Sequence, residues 1–320
     1  MIRTPLTRWF DLTTPVIGAP MAGVAGGELA RAVSAGGGLG MIGVSGRHTP
    51  EFVTEQCAIP AASQDPFGVG LMIWTLADRP DLFDATVAAQ PSLVSMSFGD
   101  PGPYVGPLHD AGIAVAAQVN TLADAARAVD AGVDVLVAQG TEAGGHTGQR
   151  ALLPLLQEVL TLTDRPVVAA GGIATGAGMA AMLAAGAAGV WVGTALLSCT
   201  EGLNGAAARE RVRAATGDET VLTRAFDVAE GIDWPVRWPG RALVNDFSRV
   251  WHGREDDLVQ DEDARRLVVE GRSTGDPATA PIYAGEAVGL VTAERSATDV
   301  VRQLTADAEK ALAAAAKLLG

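Results

Sequence analysis

Residues Pro166 to Gly193 read PVVAAGGIATGAGMAAMLAAGAAGVWVG, and the way this run divides decides the fold. From Pro166 to Thr200 there is no charged residue, and the stretch is long enough to hold a membrane-spanning helix. Gly171–Gly172, the TGAG of Thr175 to Gly178 and the AGAAG of Ala185 to Gly189 cut it instead into pieces of strand and helix length. The division is a strand (PVVAAGGI, Pro166 to Ile173), a helix (TGAGMAAMLAA) and a second strand (AAGVWVG, Ala187 to Gly193), and no membrane span is predicted.

The same unit recurs through the first two hundred residues. A helix-like segment ending in Ala-Gly and running straight into an apolar stretch occurs at Gly36, Gly112, Gly132 and Gly186. Glycine at such a junction takes the left-handed conformation that ends a helix. The remaining apolar stretches are PVIGAPMAG (Pro15 to Gly23), GLGMIGV (Gly38 to Val44), FGVGLMIW (Phe67 to Trp74), LVSMSF (Leu93 to Phe98), IAVAAQV (Ile113 to Val119) and VDVLVAQ (Val133 to Gln139). They are apolar nearly throughout, as strands covered on both faces must be.

Eight strands alternating with helices predict an α/β chain folded as a (β/α)8 TIM barrel, with its functional groups at the C-terminal strand ends. An open doubly wound sheet stays open as an alternative, because alternation alone does not prove closure. After the eighth strand come charge runs (REDD, QDEDARR) and Trp234, Trp238 and Trp251, interrupted by Pro235 and Pro239. Residues 201–280 are therefore expected to form a mainly helical insertion leaning over the barrel mouth. Residues 1–200 and 281–320 form the barrel, completed by an alanine-rich amphipathic helix from about Ser296 to Leu319.

A length of 320 residues suits one large barrel with an insertion. The net charge of −14 argues against a wide nucleic-acid or anionic-membrane surface, so an anionic ligand would need local help from backbone amides. Two cysteines, Cys57 and Cys199, are too few for a disulfide framework and lack metal-ligand spacing, which makes a reducing cytoplasm the default. The N-terminus MIRTPLTRWFDL has no apolar core of a signal peptide. The helix GAGMAAMLAAG offers an apolar outer face for a homodimer contact.

The loop after the sixth strand, QGTEAGGHTGQR from Gln139 to Arg150, places His146 among Gly140, Gly144, Gly145 and Gly148. Such a backbone can pass close to a ligand and expose its N–H groups, and the imidazole reaches the same space. A neutral His146 can take a proton next to an electron-withdrawing group; a protonated one can hydrogen-bond an anion. His48, His109 and His252 lie in charged or turn-like sequence and are read as surface residues. The ends of strands seven and eight carry AAGGI (Ala169 to Ile173) and VGT (Val192 to Thr194), which suit a phosphate held on backbone N–H groups. Gly176-x-Gly178-x-x-Ala181, with Glu201 beyond it, also has a dinucleotide-like spacing, but in the seventh unit rather than the first. No Ser-His-Asp order, Cys-His pair or histidine-rich metal spacing supports hydrolysis or metal catalysis, and cofactor-borne redox chemistry remains.

Together GAPMAGVAGG, AQGTEAGGHTG, AAGGI and VGT resemble the nitronate monooxygenase family of FMN-dependent barrels, over about Pro15 to Val291. The resemblance implies oxidation of alkyl nitronates such as propionate 3-nitronate on noncovalent FMN, which O2 then reoxidises. It places Pro20, Met21 and Ala22 beside the isoalloxazine, Gln139 on a polar edge of the flavin ring or its ribityl chain, and Gly144 and Gly145 close to the cofactor. His146 matches the family's active-site histidine. Gly172, Gly193 and Thr194 would take the phosphate, with Ala170 and Gly171 beside them. Gln118, at the end of strand five, stands where relatives often have a lysine or another polar contact. Strand three presents Gly70 and then Met72, where the best-known members have an asparagine, and the tyrosines expected near the pocket are not obvious, since Tyr104 and Tyr283 are the only two.

The same loops resemble FMN-dependent enoyl reductases and quinone reductases, which draw on NAD(P)H, and that function stays open beside the first. A phosphate-binding barrel lyase or isomerase and a flavin-binding protein without turnover are further alternatives. Trp234 and Trp238 fit a pocket wall and core anchors of the insertion equally well.

Overall fold

In a computed structural model that describes residues 2–319, all eight apolar stretches contain parallel strands. These are β1 (Val16–Gly18), β2 (Gly40–Gly43), β3 (Phe67–Met72), β4 (Leu93–Ser97), β5 (Ala114–Val119), β6 (Val135–Gln139), β8 (Val167–Ala170) and β9 (Gly189–Val192). The short β7 (Gly145–His146) lies outside this set. The sheet runs β1-β9-β8-β6-β5-β4-β3-β2, and it closes. Ile17 bridges Leu39, the Gly18 N–H donates to Leu39 O at 3.0 Å and the Leu39 N–H to Val16 O at 2.9 Å. Closure removes the open-sheet alternative. The molecule is a (β/α)8 TIM barrel.

Strand parity sets what faces inward. Ile17, Leu39, Met41, Leu93, Ala116, Val135, Val137, Val168, Ala170 and Trp191 form the cluster inside the barrel, while their alternates pack outward under the helices. Continuing the parity by one step puts Ala19, Gly43, Gly70, Ser95, Gln118, Gln139 and Gly193 around the mouth. Gly112, Gly132 and Gly186 take the expected positive φ. At the first junction the left-handed residue is Gly37 (φ 95°) and not Gly36, which continues the helix with φ −76°. The third strand also ends early: Ile73–Leu76 turn into a short helix, so Trp74 is not on the sheet.

Beyond β9 the chain forms the helices Ala206–Ala214, Ala225–Glu230, Asp246–Trp251, Glu255–Leu258 and Glu262–Thr274. It also forms two strands, β10 (Thr220–Thr223) and β11 (Gly240–Leu243), which build an antiparallel sheet with β7 in the order β10-β11-β7. This sheet escaped the sequence reading because TVLT and GRAL are too short to show a period. Its consequence is direct: Gly240 pairs with His146 and Arg241 with Gly145, so the region after β9 grips the histidine loop. Arg241 adds a hydrogen bond from Nε to Thr141 O at 2.8 Å and one to Thr220 Oγ1 at 3.1 Å.

The last helix, Ala297–Ala316, packs against Gly176–Ala184 and Gly27–Ala35, the helices preceding β9 and β2. A Cβ on Gly176 would lie 2.5 Å from Ala308 N, so this chain covers part of the apolar helix expected to meet a second subunit. Among the described residues no helix is long and apolar enough to cross a membrane.

Cys57 and Cys199 are both buried and free. Burial pushes each thiol from 9.0 up to about 12, with the Glu201 carboxylate adding to the effect at Cys199. The folded state therefore favours the protonated form. The resulting stability is fully present below about pH 9 and is lost as pH rises from there toward 12. Native protein at pH 8 should leave both thiols unlabelled by iodoacetamide while denatured protein labels at both; rapid native labelling would contradict this burial.

Candidate active site

Two glycines make room at the mouth. A Cβ on Gly43 would lie 2.5 Å from Ala22 N and Met21 C, and one on Gly70 would lie 2.3 Å from Pro20 Cγ. The loop after β1 thus lays Pro20, Met21 and Ala22 over the ends of β2 and β3. On the other side Met21 Sδ comes to 3.4 Å from the Cβ position of Gly193. The missing asparagine of strand three is explained, since Pro20 occupies the space a side chain at 70 would need. Gly70→Asn should overpack this contact and cost about 1–3 kcal/mol, read as a lowered denaturant midpoint; unchanged stability would mean that Pro20 yields freely.

The inward residues just below form a polar floor. Gly70 pairs in register with Ser95 and Met72 with Ser97. Ser95 Oγ and Gln118 Nε2 are buried with no hydrogen-bond partner among the described residues, and leaving such groups unpaired costs about 1–3 kcal/mol each. Beside them, Gln139 is held by Asn120, whose Nδ2 donates to Gln139 Oε1 at 2.9 Å. Trp238 Nε1 donates to Asn120 Oδ1 at 3.1 Å. Unpartnered donors around a closed barrel mouth fit a ligand with an acceptor-rich edge, which a flavin possesses.

The loops after β8 and β9 stand next to this floor. Ala170 pairs with Gln139 and Trp191 across the sheet. Gly171 and Gly172 have φ of 117° and 66°, conformations that glycine adopts at little cost. Thr194 Oγ1 accepts the Gly285 N–H at 2.9 Å, which leaves its own proton free to donate. Glu142, which the sequence reading did not single out, lies over Gly172 and accepts the Leu152 N–H at 3.1 and 3.2 Å, capping the helix Leu152–Leu162. Gly144 and Gly145 differ in role. A Cβ on Gly144 would strike Ala284 and Gly285 backbone at 2.6 Å, so that glycine serves chain packing, whereas Gly145 (φ 77°) has open space beside it.

His146 emerges from β7 into an aromatic enclosure. Its ring stacks on Trp234 at 3.5 Å and 10°, with Phe98 edge-on at 6.3 Å and Tyr283 at 5.4 Å. Trp234 leans on Trp74, and Phe98 meets both Trp234 and Trp238. Trp234 and Trp238 are thus buried anchors and pocket wall together. Phe98 holds a left-handed φ of 64°, a strain of about 1–3 kcal/mol that this packing sustains.

His146 Nε2 lies 3.0 and 3.1 Å from the two carboxylate oxygens of Asp227, the two side chains being 9 % and 5 % exposed. The carboxylate can only accept, so Nε2 carries a proton and Nδ1 is the nitrogen left for a ligand. Burial, followed by the Asp227 charge, holds the Tyr283 phenol well above its ordinary value, keeping it a neutral donor.

Asp227 and Asn120 carry no sequence signal, because each acquires its partner only through the fold. Of the two tyrosines whose place was not obvious from sequence, Tyr283 lies beside the His146 ring, while Tyr104 packs on Phe83 elsewhere. Glu201 accepts the Ala297 N–H at 3.1 Å and so caps the last helix instead of awaiting a ribose. His109 binds Asp134 at 2.8 Å, and half-buried His48 accepts the Ser45 N–H through Nδ1 at 3.1 Å. A cavity of about 180 Å³ lined by Thr175, Gly176, Arg295 and Asp307 shares no residue with the His146 cluster.

A closed barrel with glycine-rich loops after β8 and β9 and a carboxylate-bound histidine at its mouth has the build of a barrel enzyme. The nitronate monooxygenase family model matches residues 3–86 and 81–307, and the chain belongs to that family. It is 31 % identical to a nitronate monooxygenase of Neurospora crassa, over 96 % of this chain and 93 % of the relative. It is 27 % identical, over 99 % of each, to the (3aS,4S,5R,7aS)-5-hydroxy-7a-methyl-1-oxo-octahydro-1H-indene-4-carboxyl-CoA dehydrogenase of Mycobacterium tuberculosis. Among solved structures, FabK from Thermotoga maritima superimposes with a TM-score of 0.89 at 27 % identity, covering 99 % of this chain and all of that one.

Proposed function

We propose that the protein oxidises small alkyl nitronates, such as propionate 3-nitronate, with O2 on noncovalently bound FMN. The observation that carries this reading is the Asp227–His146 pair, closed in by Trp234, Phe98 and Tyr283. Bound FMN supplies the electron-accepting centre and the reaction with O2. Gly171, Gly172, Gly193 and Thr194 would hold its phosphate. Pro20, Met21, Ala22 and Met72 would line its ring system, with Gln118, Gln139 and Ser95 at its polar edge.

The chain's own part is to bind and orient an anion. Protonated at both nitrogens, His146 donates from Nδ1 to a nitronate oxygen, and Asp227 balances the charge in a site from which the indoles exclude water. If the neutral nitroalkane enters, the neutral imidazole takes the α-proton on Nδ1, and Asp227 stabilises the resulting imidazolium. Tyr283, kept protonated, adds a neutral donor at the same edge.

A second reading has one observation in its favour: the full-length likeness to a CoA-thioester dehydrogenase. Under it the protein is an NAD(P)H-dependent FMN reductase of an enoyl thioester or a quinone. An anaerobic titration separates the two. The FMN absorbance of reconstituted protein should bleach on adding propionate 3-nitronate and persist with NADH or NADPH. Bleaching by a nicotinamide with the nitronate inert would replace the first reading by the second.

A further inference from the structure

We infer that Trp238 and Asn120 are positioning residues which lock the side-chain amide of Gln139 with Nε2 toward the cofactor, making this strand end a hydrogen-bond donor only. The inference rests on the FMN reading above. The sense of the bonds follows from chemistry rather than from the assignment of amide atoms. An indole N–H can only donate, and that of Trp238 reaches Asn120 Oδ1 at 3.1 Å. The other end of the Asn120 amide must then be Nδ2. It donates to Gln139 Oε1 at 2.9 Å and to Gln139 O at 3.1 Å.

With Oε1 committed, Gln139 is left with Nε2, one N–H of which reaches His146 O at 3.3 Å. The second N–H has no protein partner among the described residues. Reversing the amide would set Oε1 against the His146 carbonyl and Nε2 against Asn120 Nδ2. Trp238, Asn120 and Gln139 are all buried, so no water compensates the two lost bonds and the reversed state is strongly disfavoured. A residue 118 positions along the chain from Asn120 therefore dictates the polarity of a barrel strand end.

The free N–H joins Gln118 Nε2 and Ser95 Oγ, both buried and unpartnered, at the same mouth. Of the three, the Gln139 N–H is the one whose sense is fixed by its neighbours, while the Ser95 hydroxyl can donate or accept. Reduction adds electron density to the polar edge of a flavin, so a donor facing that edge would favour the reduced over the oxidised form and raise the midpoint potential.

Trp238→Phe keeps an aromatic ring against Phe98 and removes the indole N–H together with the pyrrole portion of the side chain. It should retain FMN, weaken binding of reduced relative to oxidised FMN about tenfold, and so lower the midpoint potential by about 30 mV for a two-electron couple. In apo protein the Gln139 side-chain amide signals in a 15N-resolved NMR spectrum should shift or broaden. Asn120→Ala should do the same if Trp238→Phe folds poorly. Trp9→Phe, at an exposed tryptophan that stacks on Phe10 outside the site, should move neither readout. An unchanged potential in both Trp238→Phe and Asn120→Ala overturns the proposal. Should the wild type bind no FMN, the cofactor reading falls and the Gln139 signals alone decide the amide orientation, unmoved signals refuting it.

Discussion

Replacing His146 by alanine is expected to lower kcat/KM for propionate 3-nitronate by about 10²- to 10⁴-fold, the range for a positioned proton donor or base, without abolishing FMN binding. The expectation comes from Nδ1. With Nε2 bound to Asp227 and one ring face covered by Trp234, Nδ1 is the single polar atom the imidazole offers to a ligand. Alanine would also strand a buried carboxylate, which costs stability on its own account. His146→Gln is therefore the paired variant, since its amide can still donate to Asp227. Steady-state kinetics at saturating FMN, with thermal unfolding alongside, check both. A loss smaller than tenfold in a well-folded variant would take His146 out of the chemistry.

Asp227→Asn is expected to reduce kcat/KM about 10- to 150-fold. A hydrogen bond to a charged group contributes about 1.5–3 kcal/mol, and each 1.36 kcal/mol is a factor of about ten in rate. The amide can still accept from Nε2 but no longer balances an imidazolium. It can also turn its NH2 toward the ring and present the wrong tautomer of His146. The FMN dissociation constant should stay within about twofold of wild type, since Asp227 belongs to the histidine and not to the flavin loops. Full activity in Asp227→Asn would show that the imidazole is held well enough by Trp234 and the β7–β11 pairing.

Much of the barrel was legible because its strands are covered on both faces and its helices end at glycine. Every one of the eight apolar stretches contains a strand, and three of the four Ala-Gly junctions place the left-handed residue as expected. Where reading and structure part, the cause is local. Ile73 and Trp74 are as apolar as the strand before them, so no pattern marks the turn into a helix. The strands TVLT and GRAL are four residues long, and their partner is a two-residue strand inside the histidine loop. Periodicity has nothing to work on at that length.

From the sequence by itself come the barrel, the mouth at its strand ends, the glycine loops after β8 and β9 and the suspicion that falls on His146. These depend on local features: turn chemistry, alternation and the company a residue keeps within a dozen positions. Only the tertiary structure decides what holds that histidine and what shape the mouth takes. Asp227 comes from 81 positions further on and Trp238 from 118 beyond Asn120. Pro20 fills the place of a side chain at Gly70, and the barrel closes through Ile17 and Leu39. Each is a pairing across the fold between residues whose own neighbourhoods in the chain are ordinary. A carboxylate on a short helix looks like any solvated acid until packing removes the water and leaves an imidazole as its partner.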